Sequence, residues 1–169
     1  MSSGKGSILW FLCGTRAKAS SRLQGYLIHE QFRRLGIKSH IVYASRDDRG
    51  NDFLPLLNRL PRIRLHGSIS IIQKLYGNHT DRLIDYLHRC GSQVIYVNCD
   101  QRDQNRSWRK ADRVFATSES LRDYHARAAD LPVDRIFDPY EYAIYRQSEA
   151  SPSAPLRAIW FGSRHNWEC

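Results

Sequence analysis

Residues 8–41 read ILWFLCGTRAKASSRLQGYLIHEQFRRLGIKSHI, and their pattern decides the fold class. Five consecutive apolar residues, from Ile8 to Leu12, are bounded by a glycine-containing basic loop over 13–20. An apolar run that short, ended by such a loop, reads as a buried strand. Beyond the loop, Leu23, Leu27, Ile28, Phe32 and Leu35 fall on one helical face, with Arg22, Glu30, Arg33 and Arg34 largely on the other. Ser20 or Ser21 is placed to cap the start of this helix, and Gly36 stands where a left-handed C-terminal cap belongs. A second apolar run occupies 40–43. Strand, loop, helix, strand is the opening of a doubly wound α/β domain.

The same alternation continues outward. Residues 53–60 suggest a short helix ended by Pro61, and Ile69 to Ile72 a third strand. A helix over 80–89 turns its Leu83, Ile84 and Leu87 inward and closes at Cys90-Gly91. Residues 93–97 (QVIYV) carry the strongest strand signal in the chain and run into Asn98-Cys99-Asp100. After a polar loop and a helical turn near Trp108, 113–116 reads as the fifth strand. Thr117 or Ser118 caps the next helix, with Glu119 at its positive end, and 135–137 reads as a sixth strand. The expected fold is therefore α/β, a doubly wound, parallel, Rossmann-like sheet of about six strands in the order 3-2-1-4-5-6. It occupies residues 1–145. A Ser-, Ala- and Pro-rich linker spans 146–155, and a fresh strand at 156–161 starts a second domain that looks cut off at Cys169.

Composition narrows the function. A chain of 169 residues with 41% hydrophobic content is large enough for a real core, and its apolar runs are far too short to span a bilayer. No secretory leader is evident, so a cytoplasmic location with four reduced cysteines is expected. The net charge is +9, and residues 1–100 hold 15 basic and 7 acidic side chains. Such an excess suits an anionic substrate, peripheral contact with an anionic membrane surface, or a merely solvated Arg-rich face. Nucleic acid is disfavoured, because no helix-turn-helix, zinc or RNA-binding motif accompanies the charge.

In the expected strand order the ligand crevice lies between the first and fourth strands. Gly14, Thr15 and Arg16 wall one side of it, and Asn98, Cys99 and Asp100 the other. Arg16, Lys18 and Arg22, with Ser20 at the helix start, are placed to hold an anion within reach of Asp100. There is no G-x-G-x-x-G, phosphate loop, metal-ligand spacing or catalytic triad pattern, so no metal or tightly bound cofactor is expected.

Several stretches together resemble the N-terminal, acceptor-side domain of the B-fold glycosyltransferases of the group 1, family 4-like class. They are SSRLQGYLIHEQFRRLGIKSHIVY, IIQKLY, QVIYVNCD, ADRVFATSESL and RIFDPYEY, and, after the linker, AIWFGSRHN. The resemblance implies transfer of a sugar from a nucleotide-sugar donor to a saccharide or lipid-linked acceptor. It places Arg22, Gln73, Lys74, Asp100, Ser118 and Glu119 at the acceptor side, and the donor-contacting residues beyond Cys169. A chain holding only this half is expected to bind acceptor without turnover. A non-catalytic sugar-, nucleotide- or protein-binding α/β domain is the alternative reading.

Overall fold

The computed structural model describes residues 6–45, 65–100 and 106–137. The expected helix at 53–60, the linker at 146–155 and the second-domain strand at 156–161 lie outside the described residues.

Six strands form one all-parallel sheet: β1 (Ile8–Leu12), β2 (Ser39–Ala44), β3 (Ile69–Gln73), β4 (Gln93–Asn98), β5 (Arg113–Ala116) and β6 (Val133–Arg135). The architecture is α/β and Rossmann-like. The sixth strand starts two residues earlier than the sequence pattern suggests.

Strand order is β2-β1-β3-β4-β5-β6, which corrects the expected 3-2-1-4-5-6. The reason is burial. In β3, ISIIQ is buried at every position but the first, as a strand covered on both faces must be. β2 is buried only at Ser39, exposed or half-buried along the rest, and bulged opposite Trp10 and Phe11, all features of an edge. Because the chain passes from β1 out to β2 and then back across to β3, the reversal in winding falls between β1 and β3.

Alternation along β1 builds two cores. Leu9 and Phe11 join Ile72, Val94, Tyr96 and Val114 under helix α3 (Asn78–Arg89), which contributes Leu83, Ile84 and Leu87. Trp10 and Leu12 point to the other face with Ile71 and Val97, where Tyr26, Ile28 and Phe32 pack on them.

Those last three residues belong to a helix that departs from the simple pattern. It runs as α1 (Ala19–Ser21), a π-turn (Arg22–Tyr26) and α2 (Leu27–Arg34). Within it the Leu27 amide bonds the Arg22 carbonyl, five residues back. That extra residue rotates α2 about its axis relative to α1, as a π-bulge does. Tyr26 therefore faces the sheet, Leu23 and Leu27 are only half-buried, and Leu35, expected inward, is 73% exposed. The backbone also comes close to β1 here, since a Cβ on Gly25 would lie 2.5 Å from Leu12 Cδ2. A 3-10 turn (Ser107–Lys110) precedes β5, and helix α4 (Glu119–Ala128) comes after it.

Candidate functional site at the carboxyl edge

In a parallel sheet every strand ends on one edge, and ligands bind there where the winding reverses. With β3 beside β1, that place is between the loop after Leu12 and the loop after Gln73. The crevice expected between the first and fourth strands is corrected accordingly. Gln73 and Lys74 form its far wall, and Asn98, Cys99 and Asp100 lie one strand further on.

Its floor is a chain of buried polar groups. Gln73 is fully buried, and its Oε1 accepts from the Cys13 amide (3.1 Å) and the Ser21 hydroxyl (3.2 Å). Its Nε2 donates to Gln24 Oε1 (3.3 Å). Gln24 and the Lys74 ammonium both donate to the Cys99 thiol. Burial pushes that thiol above its usual pKa, opposed by Lys74, and so keeps it protonated. Ser21 thus serves this network and does not cap the helix. Lys18 is the N-cap residue and makes no side-chain cap bond; Ser20 lies within α1.

Lys74 is the only non-glycine with positive φ among the described residues, at 56°. A side chain in the left-handed region costs about 1–3 kcal/mol and persists only where neighbours impose it. Here the Lys74 amide bonds the Val97 carbonyl (3.1 Å), and the ammonium pairs with Asp100. The lysine side chain is 10% exposed and the aspartate 45%, so the pair forms a charged lip at the mouth.

The cations expected to gather around an anion act largely on the first loop itself. Lys18 Nζ donates to the Cys13 carbonyl (3.3 Å) and contacts Cys13 Sγ (3.4 Å). Arg22 donates to the carbonyls of Arg16 (3.2 Å) and Ala17 (3.3 Å), while Arg16 pairs with Glu30 on α2. Gly14 is needed at the turn, because a Cβ there would lie 2.6 Å from Lys18 Cδ. Ser118 and Glu119 sit after β5, two strands from β3. Ser118 Oγ accepts from the Leu121 amide (3.2 Å) as a helix cap, and Glu119 pairs with Arg135.

One feature was not anticipated from the sequence pattern. Helix α3 starts at the same edge, just after Gly77, and three consecutive residues of its first turn each keep a buried side-chain atom with no partner among the described residues. They are His79 Nδ1, Thr80 Oγ1 and Asp81 Oδ1. Buried polar atoms are nearly always satisfied, so three orphans in a row need an explanation. The signal in the sequence is the polar run Asn78-His79-Thr80-Asp81 on a helix start that faces the sheet.

Cys13, Cys90 and Cys99 are free thiols. No described helix is long and apolar enough to cross a membrane. The fold and this edge define a Rossmann-like α/β domain with a network of buried polar side chains at its winding reversal. Compared with protein-family models, with curated proteins and with solved structures, the chain matches none.

Proposed function

We propose that this chain is the acceptor-side half of a glycosyltransferase, with the crevice between β1 and β3 as the acceptor site. A nucleotide-sugar is the donor substrate. The observation that carries the reading is the orphaned first turn of α3 beside the Lys74–Asp100 lip. A saccharide hydroxyl both donates and accepts; the orphaned atoms are closed off from solvent, so a ligand reaches them only as the turn opens, when the Asp81 oxygen accepts and the Thr80 hydroxyl does either. A simple phosphate fits less well, since the Asp81 carboxylate would repel it. The sequence resemblance supports the same substrate class. Both reactants must be oriented together for transfer, which is worth roughly 7–11 kcal/mol.

The test is amide NMR of the chain titrated with a panel of saccharides and lipid phosphates, paired with a product assay by mass spectrometry using nucleotide-sugars. Saccharide binding that shifts Lys74, Thr80, Asp81 and Asp100, weakened about 10-fold in Thr80→Val, is expected. Shifts confined to another surface, or none with any acceptor, would reject the site. A second reading, an α/β binding domain without chemistry, is favoured by the ionisable groups of the lip and floor. These are a lysine paired to an aspartate and a thiol that burial keeps protonated. Turnover in any reconstitution would eliminate it.

A further inference from the structure

We infer that the junction of α2 and β2 is a docking surface for an anionic lipid bilayer. Leu35 (73% exposed) and Ile37 (39%) are two of the three large exposed apolar side chains among the described residues. They flank Gly36, whose φ of 74° closes the helix. The turn is firmly made: the Gly36 amide bonds the Arg33 carbonyl (3.1 Å) and the Ile37 amide the Phe32 carbonyl (2.8 Å). That is the paired-bond C-terminal cap, so the two aliphatic groups are presented on a rigid convex tip.

The tip is ringed by Arg33, Arg34 and Lys38, all exposed. None of the three pairs with a carboxylate among the described residues. By contrast Arg16, Lys74, Lys110, Arg113, Arg122 and Arg135 all do. Two cations at a helix C-terminus are explained by the helix dipole alone. The dipole does not account for exposed leucine and isoleucine between them. An open groove of about 570 Å³ adjoins the tip, lined by Tyr26, His29, Glu30, Arg33, Arg34 and Ile41. Guanidinium groups on its wall are suited to phosphate oxygens, and the one carboxylate there, Glu30, is paired with Arg16.

Aliphatic residues protruding among unpaired cations match a bilayer, which offers phosphates at its surface and hydrocarbon just below. An acidic protein partner would need a concave apolar seat for the tip. The tip lies at the amino edge of the sheet, since the Ile8 amide at the start of β1 bonds the Lys38 carbonyl (2.8 Å). Docking there leaves the carboxyl-edge crevice facing away from the lipid. The surface therefore orients the chain, and its role does not depend on the function proposed for the crevice.

The experiment is co-sedimentation of the chain with vesicles of phosphatidylcholine, alone or mixed with phosphatidylglycerol. Binding to the mixed vesicles only is expected. Arg33→Gln/Arg34→Gln and, separately, Leu35→Ser/Ile37→Ser should each weaken it about 10-fold, given the usual contribution of each basic or apolar group. All four side chains are on the surface, and an unchanged thermal midpoint verifies that the variants fold. A distant control, Arg109→Gln/Lys110→Gln, should bind as the parent does. Failure to bind mixed vesicles overturns the inference. So does full binding by Leu35→Ser/Ile37→Ser, or an equal loss in the control, because either result means net charge alone suffices. A polyglutamate peptide that binds as tightly, with the same sensitivity to the four substitutions, assigns the surface to an acidic protein instead.

Discussion

Two of the buried polar clusters on this sheet, around Gln73 and around His125, are completed to different degrees. Around Gln73, at the end of β3, the amide oxygen accepts two bonds and the amide nitrogen donates one. Around His125, on α4, the account is left open. The Asp100 amide donates to Asn98 Oδ1 (3.4 Å), which turns the Asn98 amino group toward His125 Nε2 (3.0 Å). Nε2 must then accept, so the neutral ring carries its proton on Nδ1, a buried atom with no hydrogen-bond partner among the described residues. The Trp108 ring, 4.3 Å away and nearly perpendicular, and the Tyr124 ring pack against it. A satisfied buried network rigidifies, whereas a partly satisfied one leaves a structure sensitive to conditions. The first cluster pins β1, the π-turn and β3 together, and the second makes the fold responsive to acid.

The largest effect should come from breaking the completed cluster. Gln73→Leu keeps the volume roughly constant but strands the Cys13 amide and the Ser21 hydroxyl and removes the donor to Gln24 Oε1. Each stranded group costs about 1–3 kcal/mol, so a loss of about 3–5 kcal/mol in urea unfolding is expected. A loss below about 1 kcal/mol would mean that water replaces Gln73 and that the cluster does not pin the edge.

Acid should break the other cluster. Burial lowers the His125 pKa to about 4, from an unfolded value near 6.5. The folded state therefore binds fewer protons across that interval. Its stabilising contribution is complete above about pH 6.5 and is lost as pH falls towards 4, by about 3 kcal/mol in all. Urea midpoints measured across this window should fall in the parent chain and flatten in His125→Phe. If both proteins show the same slope, other groups titrate and His125 is not the acid-sensitive element.

Much of this was legible from residue order, and the parts that were not share a cause. β1 and β5 fall where the apolar runs place them, because a short run flanked by turn residues has few alternatives. The position of β3 beside β1 was missed, since periodicity describes a strand's faces and not its neighbours. The clue was the continuous burial implied by Ile69, Ile71 and Ile72 around a small Ser70. Leu35 was misplaced because the π-turn shifts phase by one residue, an event that a 3.6-residue template cannot register. Ser21 looked like a capping residue, and nothing in the helical pattern singled out Gln24. Their burial arises from pairing with Gln73, about fifty positions away. Arg16 and Lys18 fall on the first loop and Arg22 on the helix after it, as the pattern placed them, but charge counting could not foresee that they would bind that loop's own carbonyls and Glu30.

Lys74 links the completed cluster to the mouth, and its backbone strain can be isolated. Substituting Lys74 by Ala or by Gly removes the same ion pair with Asp100 in both cases. What differs is φ of 56°, which glycine adopts freely and alanine does not. Lys74→Gly should therefore be more stable than Lys74→Ala by about 1 kcal/mol, despite glycine's larger unfolded-state entropy. Equal stabilities would show that the loop relaxes to negative φ once the lysine is gone.

The smallest expected effect tests whether the Gln73 cluster acts as a unit or as separate bonds. Ser21→Ala deletes one of the two donors to Gln73 Oε1, yet the Cys13 amide still satisfies that oxygen. No buried group is stranded, so the loss reduces to a single net hydrogen bond, about 1 kcal/mol. Alanine also has a higher helix propensity than serine at the end of α1, which offsets about 0.5 kcal/mol. The net change should be about 0.5 kcal/mol, several-fold smaller than for Gln73→Leu, although both substitutions remove a member of the same network. A loss approaching that of Gln73→Leu would mean that the bonds are strongly cooperative, with Ser21 holding Gln73 in its rotamer. The double variant decides between these accounts. With Gln73 already leucine, Ser21→Ala removes an orphaned hydroxyl and should recover part of the stability, a coupling that only direct contact between the two side chains produces.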